Sequence, residues 1–202
     1  YQTVNKTTPV AGDVKYVDRN GDGVVDDNDR DIIGNPNPDF TYGFQTKVSW
    51  KSLSLSASFN GVQGRDILNV GNRYNNTPGT KSNNVTRKAF QNMWTDENPS
   101  NLYPKSTFVV QNMVMDRYVE DGSYLRCSDI TLSYILPAKW TNKIGIKNTS
   151  VYASVKNAFV ITDYSGYDPE VNSFAFDGLR PGVDMNSYPT PRSFVFGLNL
   201  TF

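Results

Sequence analysis

From residue 40 to residue 63, apolar and polar residues alternate almost without a break, across two runs separated by only Lys51-Ser52. In the first run Phe40, Tyr42, Phe44, Val48 and Trp50 share one side, with Thr46 as the polar exception, while Thr41, Gly43, Gln45, Lys47 and Ser49 hold the other. In the second, Leu53, Leu55, Ala57 and Phe59 alternate with Ser54, Ser56, Ser58 and Asn60. A repeat of two is the side-chain period of a strand and fits no helix. Trp50 and Leu53 flank the two-residue break, so both apolar sets fall on one face and the segment predicts a hairpin. Lys-Ser is not the favoured Asn-Gly type of turn, so the hairpin is read from its strands.

Three more strands follow from the same pattern, for five in all: 40–50, 53–63, 119–136, 149–161 and 192–202. In the third, Ile130, Leu132 and Tyr134 oppose Asp129, Thr131 and Ser133, and Pro137 ends the run. The fourth places Val151, Ala153, Val155, Phe159 and Ile161 together. In the last, Phe194, Phe196, Leu198, Leu200 and Phe202 alternate with Ser193, Val195, Gly197, Asn199 and Thr201. Residues 64–114 read as a long polar stretch with one helical island, Val85, Ala89, Met93 and Trp94, behind Asn84 as its N-cap. Short and long connections therefore alternate along the chain. Outer-membrane barrels do this, with tight periplasmic turns and long extracellular loops, and loops of this length are uncommon in compact soluble domains. Aromatic residues at both ends of the first apolar run match interfacial girdles. A soluble β-sandwich with an aromatic-rich core remains the alternative at this point.

Composition narrows the chemistry. Lys plus Arg and Asp plus Glu are 20 each, so net charge gives no reason to expect a nucleic-acid partner. There is no histidine, which removes the commonest general base and metal ligand. The single Cys127 has no partner for an internal disulfide and reads as a small strand residue. No apolar run reaches the ~20 residues of a membrane helix, but barrel strands need only ~10 alternating residues. Asp168 and Glu170 stand two apart on a loop and read as ordinary loop acids, not as a glycosidase pair. No nucleophile–base pair and no Gly-rich phosphate loop is evident, and the chain is not expected to be an enzyme.

One local motif has ligand-like spacing. In Asp18-Arg19-Asn20-Gly21-Asp22-Gly23-Val24-Val25-Asp26-Asp27-Asn28-Asp29, counting from Asp18, oxygen side chains fall at positions 1, 3, 5, 9 and 12. Gly23 stands at six, where an EF-hand loop turns sharply, and Val24 offers a carbonyl at seven. A hard cation needs six or more converging oxygens, which this spacing supplies. Asp18, Asn20, Asp22, Val24, Asp26 and Asp29 are therefore the candidate Ca²⁺ ligands, in a structural role. Position twelve is Asp and not the bidentate Glu of an ordinary EF-hand, as in dockerin-type loops. The plainer reading is a solvated Asp/Asn/Gly turn. Among the loop aromatics, Tyr74, Trp94, Tyr103, Tyr164, Tyr167, Phe174, Phe176 and Tyr188 are candidates for stacking on sugars or meeting a partner, though such residues more often pack their own loops.

Several segments in order carry a family likeness: Gly12-Asp13-Val14-Lys15-Tyr16-Val17-Asp18, Pro38-Asp39-Phe40-Thr41-Tyr42-Gly43-Phe44, Trp94-Thr95-Asp96-Glu97-Asn98-Pro99 and Asp121-Gly122-Ser123-Tyr124-Leu125-Arg126. Asn157-Ala158-Phe159, Tyr167-Asp168-Pro169-Glu170-Val171 and Tyr188-Pro189-Thr190-Pro191-Arg192 complete the series. Together they resemble the C-terminal region of SusC/RagA-type TonB-linked outer-membrane proteins over essentially the whole chain. The resemblance implies an all-β, antiparallel up-and-down meander forming the C-terminal strands of a 22-stranded transmembrane barrel with long extracellular loops. It also implies an outer-membrane location, a SusD-like surface lipoprotein as partner, and import of oligosaccharides or peptides driven through TonB. Residues 1–39 are then an extracellular loop carrying the acidic segment, and 40–202 the five strands with their loops. The plug and the TonB-contacting segment are expected upstream, in a longer protein of which this is the C-terminal part. The resemblance further suggests Phe202 as the terminal aromatic read by barrel assembly, with Gly197 five residues before it, although Leu200 and Val195 depart from that pattern. The competing function is a calcium-stabilised surface carbohydrate-binding or adhesion β-module.

Overall fold

The computed structural model describes residues 3–4, 8–77, 84–106, 114–141, 146, 148–171 and 173–201. Its strands are β1 (Thr3–Val4), β2 (Val24–Val25), β3 (Phe40–Trp50), β4 (Leu53–Gln63), β5 (Asp66–Asn69), β6 (Val119–Asp121), β7 (Tyr124–Ile135), β8 (Asn148–Thr162), β9 (Val183–Asp184) and β10 (Ser193–Thr201). Short helices α1 (Val70–Asn76), α2 (Arg87–Asn92) and α3 (Ala138–Thr141) lie between them.

The main sheet has the order β10-β8-β7-β4-β3 and is antiparallel throughout, an up-and-down meander as the alternation predicted. Its register puts every apolar run on one face: Phe44 pairs with Phe59, Phe59 with Cys127, Cys127 with Phe159, and Val155 with Phe194. Phe44 and Phe59 stack with ring centroids 4.5 Å apart. Among the described residues nothing covers this face: Phe44, Val48, Leu55, Leu132, Phe196 and Leu198 are all exposed. A β-sandwich would bury these same side chains under a second sheet, so the sandwich reading does not hold. Cys127 is buried within the sheet, and a small core of Ile67, Tyr164 and Val171 lies among the loops at one end.

Two details keep the faces in phase. Ser58 pairs with Asp129 and Phe59 with Cys127, leaving Ser128 as one extra residue in β7; β8 places Asn157 and Ala158 opposite it. These bulges re-aim the strand beyond them without moving an apolar residue to the polar side. Tyr42 lies across the sheet from Gly61, and Tyr152 across from Gly197. In each case the ring occupies the space that a Cβ on the glycine would take.

The loop end departs from the sequence reading in three places. The strand expected over 119–136 is two strands, because at Gly122-Ser123 the chain leaves the main sheet. Gly122 N–H donates to the Arg65 carbonyl (2.8 Å), Ser123 Oγ accepts from Gly64 N–H (3.0 Å), and β6 pairs with β5 in a three-stranded sheet β6-β5-β9. Among the described residues, the polar stretch after residue 64 holds two helices, not one. The first, α1, lacks apolar periodicity and begins at Asn69, whose side chain accepts from Asn72 N–H (2.8 Å). The second, α2, starts behind Thr86 and not Asn84: Thr86 Oγ1 accepts from Ala89 N–H (3.1 Å). Met93 and Trp94 fall beyond its end. Phe202 lies outside the described residues.

Candidate functional site

The loop between β8 and β10 folds back onto the polar face of the sheet and is held there by a charged latch. Pro169 is fully buried; of the acids on either side of it, Asp168 is buried and Glu170 lies at the edge, its side chain 34% exposed. Asp168, 4% exposed, accepts from Arg126 Nη2 (2.5 Å) and Glu170 N–H (2.9 Å) at Oδ1, and from Thr190 N–H (3.0 Å) at Oδ2. Glu170 Oε1 accepts from Asn60 Nδ2 (3.0 Å) and Tyr124 Oη (2.7 Å), while its Oε2 lies 3.3 Å from Arg126 Nε. Arg65 Nη2 donates to the Pro169 carbonyl. Alternation fixes the geometry: Asn60 of β4 and Arg126 of β7 are register partners on the polar side, so both reach the same turn. Burial alone would raise the Asp168 carboxyl. The N–H groups of Glu170 and Thr190, the Thr190 hydroxyl and the Arg126 charge more than offset that, holding it below the usual carboxylate range.

A second polar-face cluster sits further along the strands. Asp129 meets Lys156 at 2.5 Å and accepts from Thr131 Oγ1 and Ser154 Oγ, both at 2.8 Å. Beside the latch, Tyr164 donates to Asp184 Oδ2 (2.6 Å), and burial together with that acceptor raises its phenol. Asp168 and Glu170 are therefore not ordinary loop acids. What the sequence reading lacked was Arg126, whose positive charge on an otherwise polar strand face was the available sign that a buried carboxylate would meet it.

The acidic loop is tightly formed, with its side chains turned to its own backbone. Asp18 accepts from Gly21 N–H (2.7 Å) and Gly23 N–H (2.9 Å); Asp22 accepts from Val24 N–H (2.8 Å). Asn20 Oδ1 accepts from Asp22 N–H (3.0 Å), and Asp26 Oδ1 from Asn28 N–H (2.8 Å). Asp29 accepts from Asp26 N–H (2.8 Å) and Arg19 N–H (2.7 Å). The Asp26 amide, with those of Arg19 and Asn20, lowers the Asp29 carboxyl. Gly23 makes its sharp turn at φ 84°, and Val25 is buried beneath the loop. Among the described residues no group of three or more His, Cys, Asp or Glu side chains stands together as a metal site. A cleft of about 1110 Å³ separates this loop from residues 94–104 and 114–117; Tyr16, Asp29, Trp94, Tyr103 and Arg117 line it. Burial pushes the Tyr16 phenol up to about 12.

The aromatic candidates divide. Trp94 packs on Gly12 and Tyr164 is buried. Phe174 lies edge-on to Phe176 (centroids 6.4 Å) beneath the Arg180 guanidinium. Tyr167, Phe176 and Tyr188 project into solvent.

An uncovered five-stranded meander, apolar on one side and strapped by folded loops on the other, is a segment of a β-barrel wall of the RagA/SusC type. Over nearly all its length the chain matches SusC/RagA-type TonB-dependent receptors in sequence and fold. It is 35% identical over 201 residues to TonB-dependent receptor P26 of Formosa agariphila, covering 96% of this chain and 20% of the relative. With TonB-dependent receptor SusC of Bacteroides thetaiotaomicron it is 34% identical over 194 residues, or 93% of this chain and 17% of SusC. Among solved structures, the RagAB peptide importer in its open-open state superposes with a TM-score of 0.71 at 29% identity, over 85% of this chain and 18% of the other. No protein-family model matches. The chain spans about one fifth of the length of the curated relatives it matches.

Proposed function

We propose that this chain forms part of the wall and outer loops of an outer-membrane, TonB-dependent importer that takes up oligosaccharides or peptides with a SusD-like lipoprotein. The observation that carries this reading is the continuous apolar face across β3, β4, β7, β8 and β10, exposed in spite of its size. A soluble protein rarely leaves so much contiguous apolar surface bare, whereas a bilayer is its natural cover. The eleven residues of β3, at about 3.3 Å each, are long enough for the ~25 Å apolar band even when tilted by ~40°. The plug and the TonB contact belong, on this reading, to the remaining four fifths of the receptor. Spin labels in the full-length receptor test the membrane assignment. A label replacing Val48 is expected to be accessible to oxygen dissolved in lipid, and one replacing Lys47 to a water-soluble nickel relaxant; the reverse pattern would refute it.

The lipoprotein assignment is supported by the loops, which gather at one end of the sheet and expose Tyr167, Phe176 and Tyr188. Phe176→Ser with Tyr188→Ser is expected to reduce co-purification of the lipoprotein while leaving barrel insertion intact, and unchanged recovery would count against this surface.

Calcium in the acidic loop rests on the oxygen spacing of Asp18, Asn20, Asp22, Val24, Asp26 and Asp29. The side chains that now accept backbone amides would have to turn toward the ion, so binding would reorganise a formed loop. Millimolar calcium should then slow protease cleavage within residues 18–30, and Asp22→Ala should abolish that protection. Cleavage indifferent to calcium would leave a polar turn only.

A further inference from the structure

We propose that the short-turn end of the sheet is a docking surface for the anionic phospholipid headgroups of the leaflet it meets. Charge is distributed very unevenly along the strands. No Asp or Glu occurs between Asp39 and Asp66, between Asp129 and Asp163, or after Asp184. Those stretches contain the β3–β4 turn, the β7–β8 connection and all of β10. The β3–β4 turn carries Lys51 and the β7–β8 connection carries Lys139. Lys156, by contrast, is neutralised by Asp129 in mid-sheet. The acids gather at the opposite, loop end.

The lysines stand among interfacial aromatics. Trp50, Leu53 and Tyr134 are neighbours across three strands on the apolar face, and the Ser52 carbonyl accepts from Ile135 N–H (2.8 Å), which joins the turn to β7. Lys51 Nζ lies 4.9 Å from the Trp50 ring centroid. Trp50 is 69% and Trp140 66% exposed, and Lys139 precedes Trp140 in α3 at the same end. Water gives exposed indoles no reason to gather here, but the headgroup region of a bilayer favours both the ring and the ammonium reaching past it. With no Asp or Glu in the stretches that form this end, charge complementarity selects an anionic headgroup over a zwitterionic one.

This inference rests on the sheet being a membrane wall, and the experiment separates the two. The full-length receptor, purified in neutral detergent, is mixed with phosphatidylglycerol and phosphatidylcholine of identical acyl chains, and retained lipid is counted by native mass spectrometry. Preferential retention of phosphatidylglycerol is expected. Lys51→Asn suits the turn, where φ is 53°, since asparagine tolerates that region. This change and Lys139→Gln should each weaken phosphatidylglycerol retention about fivefold and leave phosphatidylcholine unchanged. Lys51→Arg should keep the preference, and Arg30→Gln, at the loop end, should not alter it. Equal retention of the two lipids by the unaltered receptor, or an unchanged preference in the doubly substituted one, overturns the proposal. A receptor that holds neither lipid and stays dispersed without detergent overturns the membrane reading itself.

Discussion

Replacing Asp168 with asparagine isolates the latch with little change of shape. The Arg126 and Asp168 side chains are 6% and 5% exposed, so the pair is truly buried. After the change an Asn oxygen can still accept from Glu170 or Thr190 N–H, but Arg126 keeps its charge with only Glu170, 3.3 Å away, to answer it. Breaking one side of a buried ion pair costs about 3–5 kcal/mol. At the lower figure the loop would open on the order of a hundredfold more often. Hydrogen exchange in the full-length receptor reads this directly, in peptides covering residues 163–171 against peptides from β4. Exchange in the loop should quicken by about that factor while β4 stays protected. The discriminating arm adds Arg126→Met to Asp168→Asn. Removing both charges leaves Glu170 with its donors Asn60 and Tyr124, so the double variant should exchange more slowly than Asp168→Asn alone. If loop protection is unchanged in the single variant, or the effects simply add, the buried pair does not hold the loop.

Three further outcomes follow from the geometry. Because the Asp168 carboxyl is held below the usual range, its contribution is complete above the ordinary aspartate value near 4 and is lost only as pH falls below that through the folded value. Loop exchange, corrected for its intrinsic pH dependence, should therefore be flat from pH 5 to 8 and rise in stronger acid. Gly197→Ala forces a Cβ against the Tyr152 ring and should destabilise the sheet by about 1–3 kcal/mol, seen as a lower temperature of gel-shift unfolding; adding Tyr152→Ala should recover part of that loss. Trp94→Ala removes the ring that packs on Gly12 and should expose residues 12–30 to protease, with no change in the sheet's heat resistance.

The main sheet was legible because each of its strands leaves most of its apolar side uncovered and carries polar groups on the other, so a period of two survives in the sequence. Its bulges were not, since Ser128 and Asn157 differ in no obvious way from their neighbours. The split at Gly122-Ser123 depends on Arg65, Gly64 and Ile67, more than fifty residues away, and no local pattern reports such a contact. Likewise α1 is a row of Asn, Arg and Gly residues held by the Asn69 cap, not by an apolar stripe. The family-like segments lie far apart along the chain, yet they meet in space. Arg126 of one binds Asp168 of another, which binds Thr190 of a third, and Asn157 Nδ2 donates to the Pro191 carbonyl (3.0 Å). Gly12 of the first segment packs under Trp94, and Asp13 meets Lys105 at 3.1 Å. The acidic loop was legible as a loop, down to the turn at Gly23; its present hydrogen bonds depend on which donors reach the carboxylates first, which spacing alone does not decide.

The small core at the loop end has a kinetic consequence. Ile67 meets Tyr164 and Val171, partners about a hundred positions away along the chain, so none of its contacts can form while the intervening strands are unaligned. Closing so large a loop for three side chains is unfavourable by itself, and the closure becomes cheap only once the meander has brought the loop ends together. The loop end should therefore be the last part of the molecule to lock during assembly, and a strand mutation that slows pairing should delay its protection even when it lies at the far end of the sheet.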